Sequence, residues 1–343
     1  MIPEITIEVY LSTGGPLIDV RSPGEYRQGH IPGAVNIPLF TDEERAMVGT
    51  LYTRVSPEKA LETGLELVAP KLGWFLEEAR SITQGGAVTV HCWRGGQRSR
   101  SFAGHLASHG FRQVSVIAGG YKAYRQLVHR YFENPPELRI LGGFTGSGKT
   151  EIIGTLAARG YQTVDLEGVA CHKGSSFGAI GCGDQPTTEQ FENDLFGAFR
   201  PLDASHPVWL EDESHNIGGV NLPMPLWQAM QKSPTWFLRI PREVRASWLV
   251  REYAAYGPGV LEEATRRITR RLGGDNSVQA LKLISAGHYM DAALILLAYY
   301  DKSYEKALRL HTRGEVREIL LETIDPERNA TIILDYEEGR RSH

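Results

Sequence analysis

The chain has 343 residues, more than one small core accommodates, so two or three domains are expected. With 41% hydrophobic and 23% charged residues the composition is that of an ordinary globular protein. A formal net charge of -4 argues against a protein that coats nucleic acid indiscriminately, while leaving room for a local basic face.

Three cysteines, Cys92, Cys171 and Cys182, are too few and too odd in number for a disulfide framework, so a reducing cytoplasm is expected. Met1-Ile2-Pro3-Glu4 has neither a basic nor an apolar leader character. The most apolar stretch, Ala292 to Tyr300, is far too short to span a bilayer, so no membrane association is expected.

Residues 5–130 read as alternating short strands and helices. Pro16 to Val20, Ala87 to His91 and Val114 to Ile117 are apolar runs that suit buried strands, and helical patterns cover Leu65 to Ile82 and Ser99 to Gly110. Such alternation implies a mostly parallel sheet with helices on its faces. Asn134-Pro135-Pro136 reads as a linker. A second alternating unit follows, with strands at Leu138 to Leu141, Thr163 to Leu166, Val208 to Leu210 and Trp236 to Ile240. From Arg242 the pattern is mainly helical, closing on an expected strand at Thr331 to Leu334.

Cys92 follows a strand directly, and a helix is expected from Ser99. The residues between include Arg94, Gly95, Gly96 and Arg98. Inward-pointing backbone N–H groups, a helix N-terminus and two arginines all favour a thiolate. A buried structural cysteine is the plainer alternative. The setting, with two arginines and two glycines between a strand and a helix, favours a nucleophile.

This region resembles the rhodanese family. The resemblance rests on Leu17-Ile18-Asp19-Val20-Arg21, Glu25-Tyr26, Gly29-His30-Ile31-Pro32-Gly33-Ala34, Asn36-Ile37-Pro38, the Cys92 loop and Ala118-Gly119-Gly120-Tyr121. It implies a sulfurtransferase fold with a persulfide or related chalcogen adduct on Cys92. The stretch Cys92 to Arg98 is one residue longer than the usual loop of that family. His-Cys-x5-Arg-Ser is also similar to the tyrosine-phosphatase signature, and the extra residue leaves room for a tetrahedral phosphate-sized group. A sulfurtransferase or a Cys-dependent phosphatase regulated by a P-loop NTPase domain is the alternative reading.

Gly143-Phe144-Thr145-Gly146-Ser147-Gly148-Lys149-Thr150 matches G-x-x-x-x-G-K-[ST] between a strand and a helix. Gly143, Gly146, Ser147, Gly148, Lys149 and Thr150 are therefore expected to bind phosphate, with the use of magnesium at Thr150 left open. Glu211 and Asp212, at the end of an apolar strand, are the candidate acidic partners. Asp165 and Glu167 end the second strand, and His172, Lys173 and Ser175 follow. Strand ends beside a P-loop are where substrates lie in such sheets. Cys171, His172 and Cys182 have irregular spacing, and no metal is expected there. Glu262 to Leu272 reads as one helix. Its pairs Arg266/Arg270 and Arg267/Arg271 then form a basic stripe that suits nucleic acid and, equally, a solvated face balanced by Glu262 and Glu263; Arg242, Arg245 and Arg251 precede it.

The combination, with Asp165-Leu166-Glu167-Gly168 and Glu211-Asp212-Glu213-Ser214, resembles the bacterial tRNA 2-selenouridine synthase family over essentially the whole chain. The resemblance implies exchange of sulfur for selenium at C2 of the wobble 2-thiouridine through an S-geranylated intermediate. Geranyl diphosphate and selenophosphate are the implied co-substrates, with no tightly bound cofactor. Thiolated tRNA is the implied partner, and an enzyme supplying selenophosphate a further one. The expected architecture is α/β: a rhodanese-like parallel-sheet domain over 1–132, a P-loop core over 137–241, and a mainly helical extension over 242–343 that offers a tRNA-binding surface.

Overall fold

The computed structural model describes residues 2–83, 86–310 and 314–339, apart from the side chains of 307, 309 and 310. The chain divides into two compact units, Met1–Tyr131 and Phe132–His343.

In the first unit, strands β1 (Glu4–Ile5), β2 (Leu17–Asp19), β3 (Ala34–Asn36), β4 (Ala87–His91) and β5 (Gln113–Ile117) form a parallel sheet in the order β1-β5-β4-β2-β3. The central strands are covered on both faces, which explains their continuous apolar runs. Ile18, Val20, Val88, Val90 and Val116 pack with Phe75, Phe102 and Leu106 from the helices. Helix α1 (Gln97–Ser108) follows β4. The expected helix from Leu65 to Ile82 is broken instead. One helix ends at Val68, a 3-10 turn spans Ala69–Lys71, and the next helix begins at Leu72. Pro70 inside that turn cannot donate a helical N–H, which accounts for the break.

In the second unit, β6 (Leu138–Gly143), β7 (Thr163–Val164), β8 (Val208–Glu211), β11 (Thr235–Arg239) and β12 (Val316–Leu320) form a parallel sheet ordered β12-β11-β6-β8-β7. A small antiparallel ribbon pairs β9 (Asn216–Ile217) with β10 (Val220–Asn221). Helix α2 (Lys149–Ala158) leaves the central strand β6 through the glycine-rich loop. Helices α3 (Arg242–Tyr253), α4 (Pro258–Arg267), α5 (Thr269–Leu272), α6 (Gly274–Ser285) and α7 (Tyr289–Leu310) then follow. Leu261, Ala264, Ile284 and Ala292 from these helices bury one another in a core separate from the sheet's own.

The expected strand at Thr331 to Leu334 is part of helix α8 (Pro326–Glu337). A short apolar run fits either element, and here the boundary decides. Asp325 caps the helix by accepting the Arg328 N–H at 3.1 Å, and Pro326 occupies the first turn. Ala330, Ile333 and Leu334 then face the core from one side of that helix. The final strand is β12, an edge strand in which only Ile319 is buried.

Candidate functional site

Cys92 lies just past the tip of β4. The connection to α1 is shorter than expected, because the helix starts at Gln97 and takes Arg98 and Ser99 into its first turn. Gly95 and Gly120 both adopt positive φ, 63° and 58°, and press against the loop. A Cβ on Gly120 would collide with the Cys92 carbonyl oxygen and the Gly95 nitrogen. Without that side chain, the Tyr121 N–H donates to the Cys92 carbonyl at 2.9 Å.

The thiol is buried, with Ser99 Oγ 3.3 Å from Sγ. Burial pushes the thiol pKa up. The Ser99 hydroxyl, the Arg98 charge and the backbone N–H groups of Arg94 and Ser99 more than offset this, so it lies below the ordinary cysteine value. Arg98 donates from Nη1 to Glu25 Oε2 at 2.9 Å, and Arg94 is exposed at the rim. Behind the loop, buried Arg21 donates to Asp19 from Nε at 3.0 Å and Nη2 at 2.6 Å, and stacks 3.8 Å over the Tyr121 ring. His91 is fully buried there, with Nε2 3.6 Å from Asp19 Oδ2. Burial lowers its pKa against the pull of Asp19. This scaffold supports Tyr121, which in turn holds the Cys92 carbonyl.

The glycine-rich loop of the second unit opens onto a cavity of about 440 Å³. Lys149, nearly buried, projects among Tyr304, Glu167, Glu213 and Asp212. Burial works to lower its pKa, but these four neighbours hold it above the ordinary lysine value. Thr150 Oγ1 donates to Glu167 Oε2 at 2.9 Å. Ser147 Oγ is buried without a hydrogen-bond partner among the described residues. Glu213 is pushed up by burial and by Glu167, with Lys149 opposing.

The opposite wall of the same cavity is apolar. Phe177, Trp248, Leu249, Tyr253, Leu261 and Ile284 line it, joined by the face of α7 that carries Ala292, Ala293, Leu296 and Leu297. Leu249 sits against the phosphate loop itself, since a Cβ on Gly146 would lie 2.9 Å from Leu249 Cγ.

The expected residues divide clearly. Gly146, Ser147, Gly148, Lys149, Thr150, Asp165, Glu167, Lys173 and Ser175 all line this cavity. Gly143 ends β6 just before it. Asp165 is occupied in capping a helical turn, accepting the Gly168 N–H at 2.7 Å. Lys173 is paired with Glu252 of α3. His172, half-buried, turns toward Gly178 and Gly218. Glu211 points away to accept the Leu166 N–H at 3.0 Å, whereas Asp212 borders Gly142 at the base of the phosphate loop. Glu213, one position further on, lines the cavity and was not singled out in the sequence. Trp248, Glu252 and Tyr304 were missed as well, because no local motif marks them. Among the described residues no three His, Cys, Asp or Glu side chains converge as metal ligands.

The basic stripe differs from expectation. Ile268, at φ -108° and ψ 6°, separates α4 from α5, so the four arginines do not share one continuous helix. All four are exposed. Arg266 is paired with Glu262 at 2.8 Å and Arg267 with Glu263 at 2.6 Å. Arg245 is buried and forms a bidentate pair with Asp301 at 3.0 and 2.9 Å, and so is no nucleic-acid contact.

The chain is thus an α/β protein in which a unit with Cys92 at a strand tip is followed by a unit with a P-loop-type glycine-rich turn. Residues 8–127 match the Rhodanese-like domain, and residues 136–257 match the tRNA 2-selenouridine synthase AAA domain. Three relatives named tRNA 2-selenouridine synthase align over nearly the full length. That of Hahella chejuensis is 38% identical over 90% of this chain and 89% of its own. That of Sulfurovum sp. is 35% identical over 89% and 93%, and that of Cupriavidus pinatubonensis 33% over 88% and 93%. The chain belongs to the tRNA 2-selenouridine synthase family, and is an enzyme of that kind. Among the described residues no helix is long and apolar enough to cross a membrane.

Proposed function

We propose that the enzyme replaces sulfur by selenium at C2 of the wobble 2-thiouridine of tRNA, through an S-geranylated intermediate made from geranyl diphosphate, with selenophosphate as selenium donor. The observation that carries this reading is the two-sided cavity of the second unit. A phosphate cradle alone suits a nucleotide or any diphosphate. A cradle that shares one cavity with an extended apolar wall suits a diphosphate bearing a hydrocarbon tail.

In this reading the loop N–H groups, Lys149 Nζ and the unpartnered Ser147 Oγ hold the diphosphate. The prenyl carbon–oxygen bond breaks as the sulfur–carbon bond forms. Diphosphate departs, and the base releases its N3 proton. Alkylation turns a poor leaving group into a better one. Selenophosphate, a tetrahedral anion, suits the Cys92 loop at the N-terminus of α1, with Arg94 and Arg98 supplying charge. Selenophosphate selenium attacks C2 as the geranyl thiolate departs, water then takes the phosphoryl group away as phosphate and leaves selenium on C2, and Cys92 positions the donor. Arg270 and Arg271, with Arg266 and Arg267, offer tRNA contacts.

Mass spectrometry of wobble nucleosides tests the scheme. Thiolated tRNA incubated with enzyme, geranyl diphosphate and selenophosphate should yield 2-selenouridine, and unchanged nucleosides would refute the proposal. Lys149→Ala should abolish geranylation yet leave selenation of pre-geranylated tRNA measurable. Loss of both steps counts against this division of labour.

A further inference from the structure

We propose that α7 sets the length of the prenyl chain the cavity accepts, with Ala293 as the position that leaves room for it. The inference rests on the prenyl diphosphate reading above. The phosphate end is fixed by the glycine-rich loop, and Leu249 lies directly against Gly146 of that loop. Leu249 also packs on a buried cluster that includes Leu261, Ile284 and Ala292. The apolar surface therefore begins at the phosphate loop and continues into that cluster.

One wall is α7. Tyr289, Ala293, Leu297, Tyr300 and Tyr304 line the cavity at spacings of four, four, three and four residues, which places them along one helical face. The wall is tied to the phosphate end. Asp301 of α7 is held bidentately by Arg245, and the same guanidinium donates from Nη1 to the Thr145 carbonyl at 3.1 Å. The helix cannot slide along the loop without breaking that buried pair. A wall at a fixed distance from the phosphate end measures the length of the tail between them. Ala293 is the small residue between Tyr289 and Leu297, one turn away on either side. It is half-buried, so a larger side chain there enters the cavity rather than an already filled core.

Binding of inorganic pyrophosphate and of dimethylallyl, geranyl and farnesyl diphosphates to the full chain tests this. Ala293→Phe should weaken geranyl diphosphate about tenfold or more, because the distal carbons lose their site. Pyrophosphate and dimethylallyl diphosphate should stay within about twofold of the native chain, since the phosphate loop is untouched. Ala293→Val adds less bulk, should fall between the two, and serves if the phenylalanine variant does not fold. Equal weakening of all four ligands by Ala293→Val, or no change in any, overturns the inference. A native chain that binds pyrophosphate but gains no affinity from any prenyl tail overturns the prenyl reading instead, which separates the two failures.

Discussion

Arg245 Nη1 donates to the carbonyl oxygen of Thr145 at 3.1 Å while Nη1 and Nη2 grip the Asp301 carboxylate. A residue on α3 thereby joins the phosphate loop to α7. Arg245 and Asp301 are both buried. Arg245→Ala leaves Asp301 beside Arg242 alone and strips the loop of a donor, so a loss of about 3–5 kcal/mol is expected. Calorimetry should show the second unit melting lower. An unchanged melting temperature would mean that the tie carries no load.

The lowered pKa of Cys92 rests chiefly on Ser99. With Ser99→Ala the hydroxyl contact at 3.3 Å disappears while burial remains, so the thiol pKa should rise toward or past the ordinary cysteine value. The thiolate absorbance of the protein, less that of its Cys92→Ser variant, should then develop at higher pH than in the native chain. A midpoint that stays put shows that Arg98 and the backbone N–H groups suffice.

Glu211 gives a stability signature with a defined sign. Burial, followed by the nearby Asp165, pushes its pKa well above 4.5, so the folded chain keeps a proton that the unfolded chain gives up. That contribution is complete below pH 4.5 and is lost as the pH climbs toward the folded value. Glu211→Gln cannot ionise. Its stability should fall less than that of the native chain as the pH rises above 4.5, as read by urea denaturation across a pH series.

Gly120→Ala places a methyl group against the Cys92 carbonyl oxygen at a φ of 58°. The strained backbone alone costs about 1–3 kcal/mol, and the collision must also displace the thiol loop. Selenation of pre-geranylated tRNA should drop sharply, while pyrophosphate binding to the second unit is retained.

The arginines beyond the cavity are expected to act on tRNA through charge. Arg266 and Arg267 already hold glutamates one turn back, so replacing Arg270 and Arg271 by alanine should weaken tRNA binding more than replacing the other two. The double variant should also flatten the salt dependence of binding, by about one in the log–log slope per lost contact. Equal slopes would place the tRNA elsewhere.

Both candidate loops were legible in the sequence because each is written in consecutive residues. Cys92 with Arg94 to Ser99, and Gly143 to Thr150, need only a strand before and a helix after, and periodicity supplied both. The rhodanese-like motifs were equally local. Boundaries fared less well. Thr331 to Leu334 is too short to distinguish a buried strand from one helical face, and the Asp325 cap settled it. The arginine spacing implied one stripe only so long as the helix ran on through Ile268, and it does not.

The sequence alone thus located the candidate groups: a thiol beside a helix start, and a lysine and serine in a glycine-rich loop. Only the tertiary structure decided what those groups face. The apolar wall is gathered from α3, α4, α6, α7 and the turn around Phe177, segments more than a hundred positions apart at their extremes. Each of those side chains reads as ordinary core, since burial against a protein neighbour and burial against a ligand select the same residue types. Arg245 shows the converse. Its charge suggested a surface for nucleic acid, and a single buried partner on a distant helix made it a structural tie.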